Sequence, residues 1–171
     1  MQTDIVPKTA LIDTHAHLHA IELPEQVIEK AVAAGINRIV AVGMEWKKPV
    51  IVHSRYSHEK TFSMVSEAGI EKAVFHWYSG PLNILERIID NGYFVSATPA
   101  LEYSSYHQAA ITKAPLERIL IETDAPVEYQ GKISEPMHLT DTLRALSRLK
   151  EQPAEVLARI TTENAERFFG I

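Results

Sequence analysis

Four histidines and one aspartate stand at or just past the ends of short apolar runs in this chain. His15 and His17 lie in Asp13-Thr14-His15-Ala16-His17, His53 follows Pro49–Val52, His76 follows Ala73–Phe75, and Asp124 lies just beyond Ile119–Ile121. Side chains two apart on a strand share a face, so the imidazoles of His15 and His17 can chelate one ion, which adjacent residues could not. His53 and His76 add two nitrogens from other strands, and Asp124 adds a hard anionic oxygen. Such a set suits one or two divalent ions, Zn, Mg or Mn. The matching chemistry is metal-assisted hydrolysis, in which Asp124 can also take a proton from water. A lone strand-end histidine more often serves structure. Four of them with an aspartate, at four separate strand ends, are hard to explain that way.

Other residues gather around this set. Arg55, two residues after His53, offers a planar fork to a phosphate or a salt bridge to a loop acid. Trp77 and Tyr78 follow His76 and offer either nucleobase stacking or packing under a loop. Tyr103 and Tyr106 are weaker versions of the same feature. Glu122 projects to the side of Asp124, where it can ligate through water or orient a ligand histidine. Asp13 shares the face of His15 and His17 and can hold their ring N–H groups. His19 lies just beyond the pair, within reach of a substrate. His58, His107 and His138 have no such context and read as surface residues. Lys47 and Lys48 read as a solvated turn.

The elements that must position these residues are strands and helices in alternation. Six near-continuous apolar runs begin at Ala10, Ile39, Pro49, Ala73, Tyr93 and Ile119. That pattern belongs to strands buried on both faces of a parallel sheet. Pro24 opens a helix with Val27, Ile28, Ala31 and Val32 as its stripe, and Gly35 closes it. Ser57 is a candidate cap for the next, with Phe62, Val65 and Ala68 on one side. Leu82, Leu85, Ile88 and Ile89 form the stripe of a third. A weaker helix spans Ser104 to Lys113. Helices over Leu139–Lys150 and Pro153–Ile160 follow, and Thr161 or Thr162 is expected to cap a short last one through Phe169. The fold class is therefore α/β, with the polar residues at the C-terminal strand ends, where (β/α) barrels build their sites. One junction breaks the rhythm: only six residues separate Val42 from Pro49, too few for a parallel crossover, which takes about ten or more.

Composition bounds the reading. The chain has 171 residues, 46% hydrophobic and 23% charged, which predicts one globular domain rather than disorder. No cysteine is present, so disulfides, thiolate zinc and iron–sulfur sites are excluded. A net charge of −5 argues against a basic protein that coats nucleic acid, but not against an enzyme that grips a few phosphates. Neither a signal peptide nor a membrane span is expected, and the default expectation is a cytoplasmic protein.

DTHAHLH at 13–19, PVIVHSR at 49–55, FHWYSG at 75–80, ILIETDAP at 119–126 and TTENAERFFG at 161–170 together resemble the TatD-like deoxyribonucleases, a family of the amidohydrolase-like superfamily. GKISEP at 131–136 resembles the family's segment after the last strand, which would bring Lys132 toward the mouth. The resemblance implies a TIM-barrel-like fold. It implies one metal on His15, His17 and Asp124 and a second on His53 and His76. The implied activity is hydrolysis of DNA, often from the 3′ end, and the family pattern favours Arg55 as a phosphate clamp.

The chain departs from the family in length. A full (β/α)8 barrel takes about 250 residues. The family's third and fourth strand–helix units, with a Gly-x-His-Pro segment and a Glu that bridges the metals, have no counterpart here. The apparent deletion falls near 43–48, within a single domain spanning 1–171. Glu45 is the nearest replacement for the bridging carboxylate, against the plainer reading of a solvated loop residue. The gap predicts an incomplete barrel of about six strands, whose exposed edges could recruit a second copy. Two further functions stay open: an amide or lactone hydrolase of the same superfamily, and an inactive metal-binding remnant.

Overall fold

The computed structural model describes residues 9–17, 20–41 and 49–171. Strand and helix alternate in it. β1 (Leu11–Ala16), α1 (Pro24–Ala33) and β2 (Ile36–Ala41) form the first unit. β3 (Val50–His53), α2 (His58–Glu67), β4 (Ala73–His76), α3 (Leu82–Asp90), β5 (Phe94–Ala97), α4 (Ser105–Lys113) and β6 (Ile119–Ile121) continue the pattern. A two-residue hairpin, β7 (Glu128–Tyr129) with β8 (Lys132–Ile133), precedes α5 (Leu139–Lys150) and α6 (Ala154–Phe169).

β1 pairs with β2, and β3, β4, β5 and β6 pair in that order, all in parallel. The two sheets join where β1 meets the chain beyond β6. Asp124 N donates to His15 O at 3.1 Å, Thr14 Oγ1 to Ile121 O at 3.0 Å, and His17 N to Ala125 O at 2.6 Å. The six parallel strands therefore form an arc ordered β2-β1-β6-β5-β4-β3, an incomplete TIM-barrel-like fold. β2 and β3 are its edges and do not pair with each other among the described residues. The junction at 43–48, with Glu45, Lys47 and Lys48, lies outside those residues, as does His19.

The period of two along each strand divides the core. Phe75, Val95, Ile119 and Ile121 pack against the helices. Val74, Phe94 and Leu120 point the other way, onto Ala165 and Phe168 of α6. Burial on both faces explains why β1, β4, β5 and β6 read as continuous apolar runs, whereas β2 and β3, at the edges of the arc, are only partly buried.

Several helical expectations need correction. α6 is one helix: Thr161 does not cap a new one but turns its hydroxyl back onto Leu157 O at 2.8 Å, which a helix interior tolerates. Ser57 sits at the start of α2 without capping it, because its hydroxyl bonds Thr61 Oγ1 at 2.9 Å. On α1 only Val27 and Ala31 are buried. Ile28 is 39% and Val32 61% exposed, on the unit whose strand β2 ends the arc. Leu82 of α3 is likewise exposed.

Candidate metal centre

Each strand delivers its polar residue by the same alternation. Val74 and His76 share a face of β4, Phe94 and Ser96 a face of β5, and Leu120 leads to Glu122 beyond β6. The apolar row inside the arc thus ends in a polar one at the C-terminal strand ends. His53 and His76 are register partners on β3 and β4. Asp124 adopts a left-handed conformation (φ 54°), a backbone state found in few non-glycine residues and concentrated at functional sites.

The five predicted ligands converge. His15 Nε2 lies 3.1 Å from His17 Nε2 and 3.3 Å from Asp124 Oδ1, and His17 Nε2 lies 3.6 Å from the same oxygen. Asp124 Oδ2 lies 3.2 Å from His76 Nε2. The His15 ring stacks on His76 with centroids 4.4 Å apart, and His53 approaches His76 at 4.5 Å. Two triads, His15–His17–Asp124 and His15–His53–His76, each hold their donor atoms within 4.8 Å of one another. Donors about 2.0–2.1 Å from a tetrahedral ion stand about 3.3 Å apart, which is the spacing of the first triad. Asp124 Oδ1 is buried without a hydrogen-bond partner among the described residues. A buried lone pair facing two imidazole nitrogens is a cradle for a cation, so the residues fit a divalent metal.

The electrostatics agree. Burial alone would suppress the charge on His76, but the carboxylates of Glu122 and Asp124 push it up to about 10. Burial also opposes the charge on Asp124, yet its contacts with His15 and His76 hold it well below the carboxylate range. Burial and the neighbouring His76 and His15 lower His53, which favours the neutral imidazole that metal ligation would require. The carboxylates thus draw positive charge onto His76, while the adjacent His53 is held toward the neutral form.

Surrounding groups fix the ligands. Glu122 Oε1 hydrogen-bonds His76 Nδ1, which directs Nε2 toward Asp124. The same oxygen accepts Ser96 Oγ at 2.6 Å, and Ser96 Oγ in turn accepts the Trp77 N–H at 3.0 Å. Of the two roles expected for Glu122, the contacts match orientation of a histidine. Asp13 departs from expectation. Its carboxylate does not reach the imidazole rings; it accepts Thr123 Oγ1 at 2.5 Å, Thr123 N at 3.1 Å and His15 N at 3.3 Å. Complete burial pushes its carboxyl up to about 7 against those three bonds. It ties the β1 backbone to the segment carrying Asp124.

A cavity of about 620 Å³ opens over the cluster and is lined in part by His17, His53, Arg55, His76, Trp77 and Asp124. The Arg55 guanidinium carbon lies 5.9 Å from the Trp77 ring and 5.4 Å from that of Tyr56. Tyr78 requires a correction. Trp77 has a left-handed backbone (φ 44°), which sends its own ring to the cavity and the next side chain into the core. Tyr78 is 0% exposed and its hydroxyl donates to Pro81 O at 2.8 Å, so it cannot stack on a ligand.

Sequence reasoning passed over three residues. His58 lines the cavity, with Nδ1 3.1 Å from Ser54 Oγ; the i, i+4 spacing at a helix start was the available sign. His107 is buried rather than at the surface. Its Nδ1 donates to Tyr78 O at 2.8 Å and its Nε2 accepts Thr98 N at 3.2 Å. Ser96 carries no sequence sign beyond its place at a strand end.

An open parallel α/β barrel with imidazoles and a carboxylate at the C-terminal ends of its strands defines a candidate metallohydrolase. Within that class the chain belongs to the TatD-related DNase family, whose profile matches residues 38–170. It is 35% identical over 140 residues to an uncharacterised metal-dependent hydrolase of Buchnera aphidicola, covering 77% of this chain and 53% of that protein. It is 31% identical over 124 residues to the human protein named deoxyribonuclease TATDN3, covering 71% of this chain and 45% of that one. The chain thus spans about half the length of the curated relatives it matches. Among solved structures, Escherichia coli YjjV, a TatD homologue, superposes with a TM-score of 0.72 at 18% identity, over 94% of this chain and 98% of that one. A TatD-family hydrolase of Entamoeba histolytica gives 0.62 at 20% identity, over 71% and 50%. These superpositions bear on the fold. Among the described residues no helix is long and apolar enough to cross a membrane.

Proposed function

We propose that the chain hydrolyses phosphodiester bonds of DNA with the help of one or two divalent ions, Zn, Mg or Mn, trimming from the 3′ end. The observation that carries this reading is the convergence of His15 and His17 on the buried Asp124 Oδ1, which has no hydrogen-bond partner among the described residues, with His53 and His76 alongside. His15, His17 and Asp124 would hold one ion, and His53 with His76 a second. When bound, such an ion supplies Lewis acidity to the phosphate and to a water. Asp124 accepts the proton of the attacking water. Glu122 holds the Nδ1 proton of His76, so that Nε2 faces the reacting centre. Arg55 clamps a non-bridging phosphate oxygen, and Trp77 stacks on a base.

The chain acts in this reading as one domain with an internal deletion near 43–48. The edges of β2 and β3, unpaired among the described residues, and the exposed Ile28 and Val32 support that, and they favour a homo-oligomer. Sedimentation of the purified chain tests the assembly.

The test of function is Mn²⁺- or Mg²⁺-dependent cleavage of end-labelled single-stranded DNA, compared with a His15→Ala/Asp124→Ala variant. Metal-dependent shortening from the 3′ end, lost in the variant, is expected. Intact DNA after incubation with folded, metal-loaded protein overturns the nuclease reading. Cleavage of amides or lactones instead would assign the other branch of the superfamily. A second reading, metal binding without turnover, draws on one observation: among the described residues Asp124 is the only carboxylate in either triad.

A further inference from the structure

A second cavity of about 370 Å³ adjoins the first, with Tyr103 in the wall of both. The turn Pro99–Glu102 after β5, the β7–β8 hairpin and α5 contribute its lining, again at the C-terminal side of the strands. Aromatic rings run between the two spaces. Trp77 packs on Tyr129 with centroids 5.1 Å apart, and Tyr129 on Tyr103 at 6.4 Å. Tyr129 is almost wholly buried and acts as a floor, while Trp77 and Tyr103 keep exposed surface on either side. Arg55 stands at the far end of this row, over Trp77.

Charge follows the same path. The second cavity is lined by three cations, Lys132, Arg144 and Arg148, and two carboxylates, Glu102 and Asp141, in a chain whose net charge is −5. Asp141 is shared, 2.9 Å from Arg144 and 3.5 Å from Lys132, and Glu102 pairs with Arg148. These pairs lie at the surface, where a salt bridge contributes little and a phosphate can replace a carboxylate at small cost.

We propose that the second cavity is a subsite for single-stranded DNA beyond the nucleotide being cleaved. Bases stack on Trp77 and Tyr103, and the following phosphates meet Lys132 and Arg148. Alternating π-faces and cations along a groove are what a strand bound without base readout requires. The proposal rests on the phosphodiesterase reading for its substrate, but it concerns binding outside the metal centre.

The experiment measures binding rather than turnover. Fluorescence anisotropy of labelled oligothymidylates of increasing length is recorded in EDTA for the wild-type chain, Tyr103→Ala and Lys132→Ala/Arg148→Ala. Wild-type affinity should rise with length. Tyr103→Ala should weaken the longer oligomers by about fivefold to a hundredfold, the range measured for one stacked base. The double variant should lower the salt slope by about 0.7 for each phosphate that is no longer neutralised. Mn²⁺ affinity and thermal melting of both variants should match wild type, which separates a lost subsite from a lost fold. Length-independent binding, or variants that bind long oligomers as the wild type does, overturns the subsite even if the chain cleaves DNA. Length-dependent binding that disappears in the variants, with no cleavage by the wild type, upholds the subsite and overturns the catalytic reading alone.

Discussion

Glu122 and His76 form a buried carboxylate–imidazole pair in which Oε1 engages Nδ1, leaving Nε2 3.2 Å from Asp124 Oδ2. One hydrogen bond thus sets the tautomer, the ring orientation and the basicity of a candidate ligand. Partners of this kind change metal affinity about 10–100-fold when mutated. Glu122→Gln should weaken Mn²⁺ binding within that range in a competitive chelator titration, and Glu122→Asp should recover part of it. Unchanged affinity would show that His76 is not a ligand or does not need orienting.

His107 makes stability depend on pH. Burial lowers its imidazole from 6.5 to about 4. Between these values the unfolded chain binds more protons than the folded one. Its contribution to stability is therefore complete above about pH 6.5 and falls as pH drops toward 4, by about 3 kcal/mol, while the raised carboxyl of Asp13 acts in the opposite direction over nearly the same range. Urea unfolding of wild type and His107→Gln across this window should show the loss as the difference between them, the variant gaining stability relative to wild type as pH falls. A variant that keeps the whole acid dependence would place its origin elsewhere.

Gly80 has no room for a methyl group. A Cβ there would lie 2.5 Å from His58 Cγ and 2.7 Å from the Tyr78 hydroxyl, which is itself held by Pro81 O. Gly80→Ala should cost about 1–3 kcal/mol, the usual penalty for overpacking. It should also displace His58 from the cavity wall. Thermal melting, with the His58 resonances followed by NMR, checks both; a melting curve like wild type with unmoved His58 signals would refute the clash.

Thr123 supplies two of the three hydrogen bonds to the buried Asp13 carboxylate. Thr123→Val removes the hydroxyl and keeps the shape. It should destabilise the chain by about 1–3 kcal/mol, the cost of leaving a buried acceptor short of a donor. Denaturant titration at neutral pH reads it, and a change within about 0.5 kcal/mol, as at ordinary surface positions, would show that Asp13 does not depend on this bond.

The sequence was most legible where both faces of a strand are buried. All six parallel strands follow from their apolar runs, and the five candidate ligands follow from ending those runs. It was least legible where one backbone angle decides which way a side chain turns. Trp77 and Tyr78 are adjacent and chemically alike, yet the left-handed φ at Trp77 sends one to the cavity and the other into the core. His107 failed for a different reason: residue type outweighed spacing. Its place with Ala110 and Ile111, at i, i+3 and i+4 on α4, marks the buried stripe, but a histidine reads as polar. Thr161 in α6 shows the converse, a capping residue type in the middle of a helix.

The candidate ligands come from both sheets of the arc: His15 and His17 from the end of β1, and His53, His76 and Asp124 from the end of the β3–β6 sheet. An ion held by His15, His17 and Asp124 would therefore add a clasp between two halves that already meet through the backbone pairing beside β6, the Asp13–Thr123 bonds and the packing of α6 on both β1 and β6. Folding and metal occupancy become one linked equilibrium, in which each tenfold rise in free ion above its dissociation constant adds about 1.4 kcal/mol to stability. The melting temperature of this chain would then serve as a gauge of the divalent ions around it.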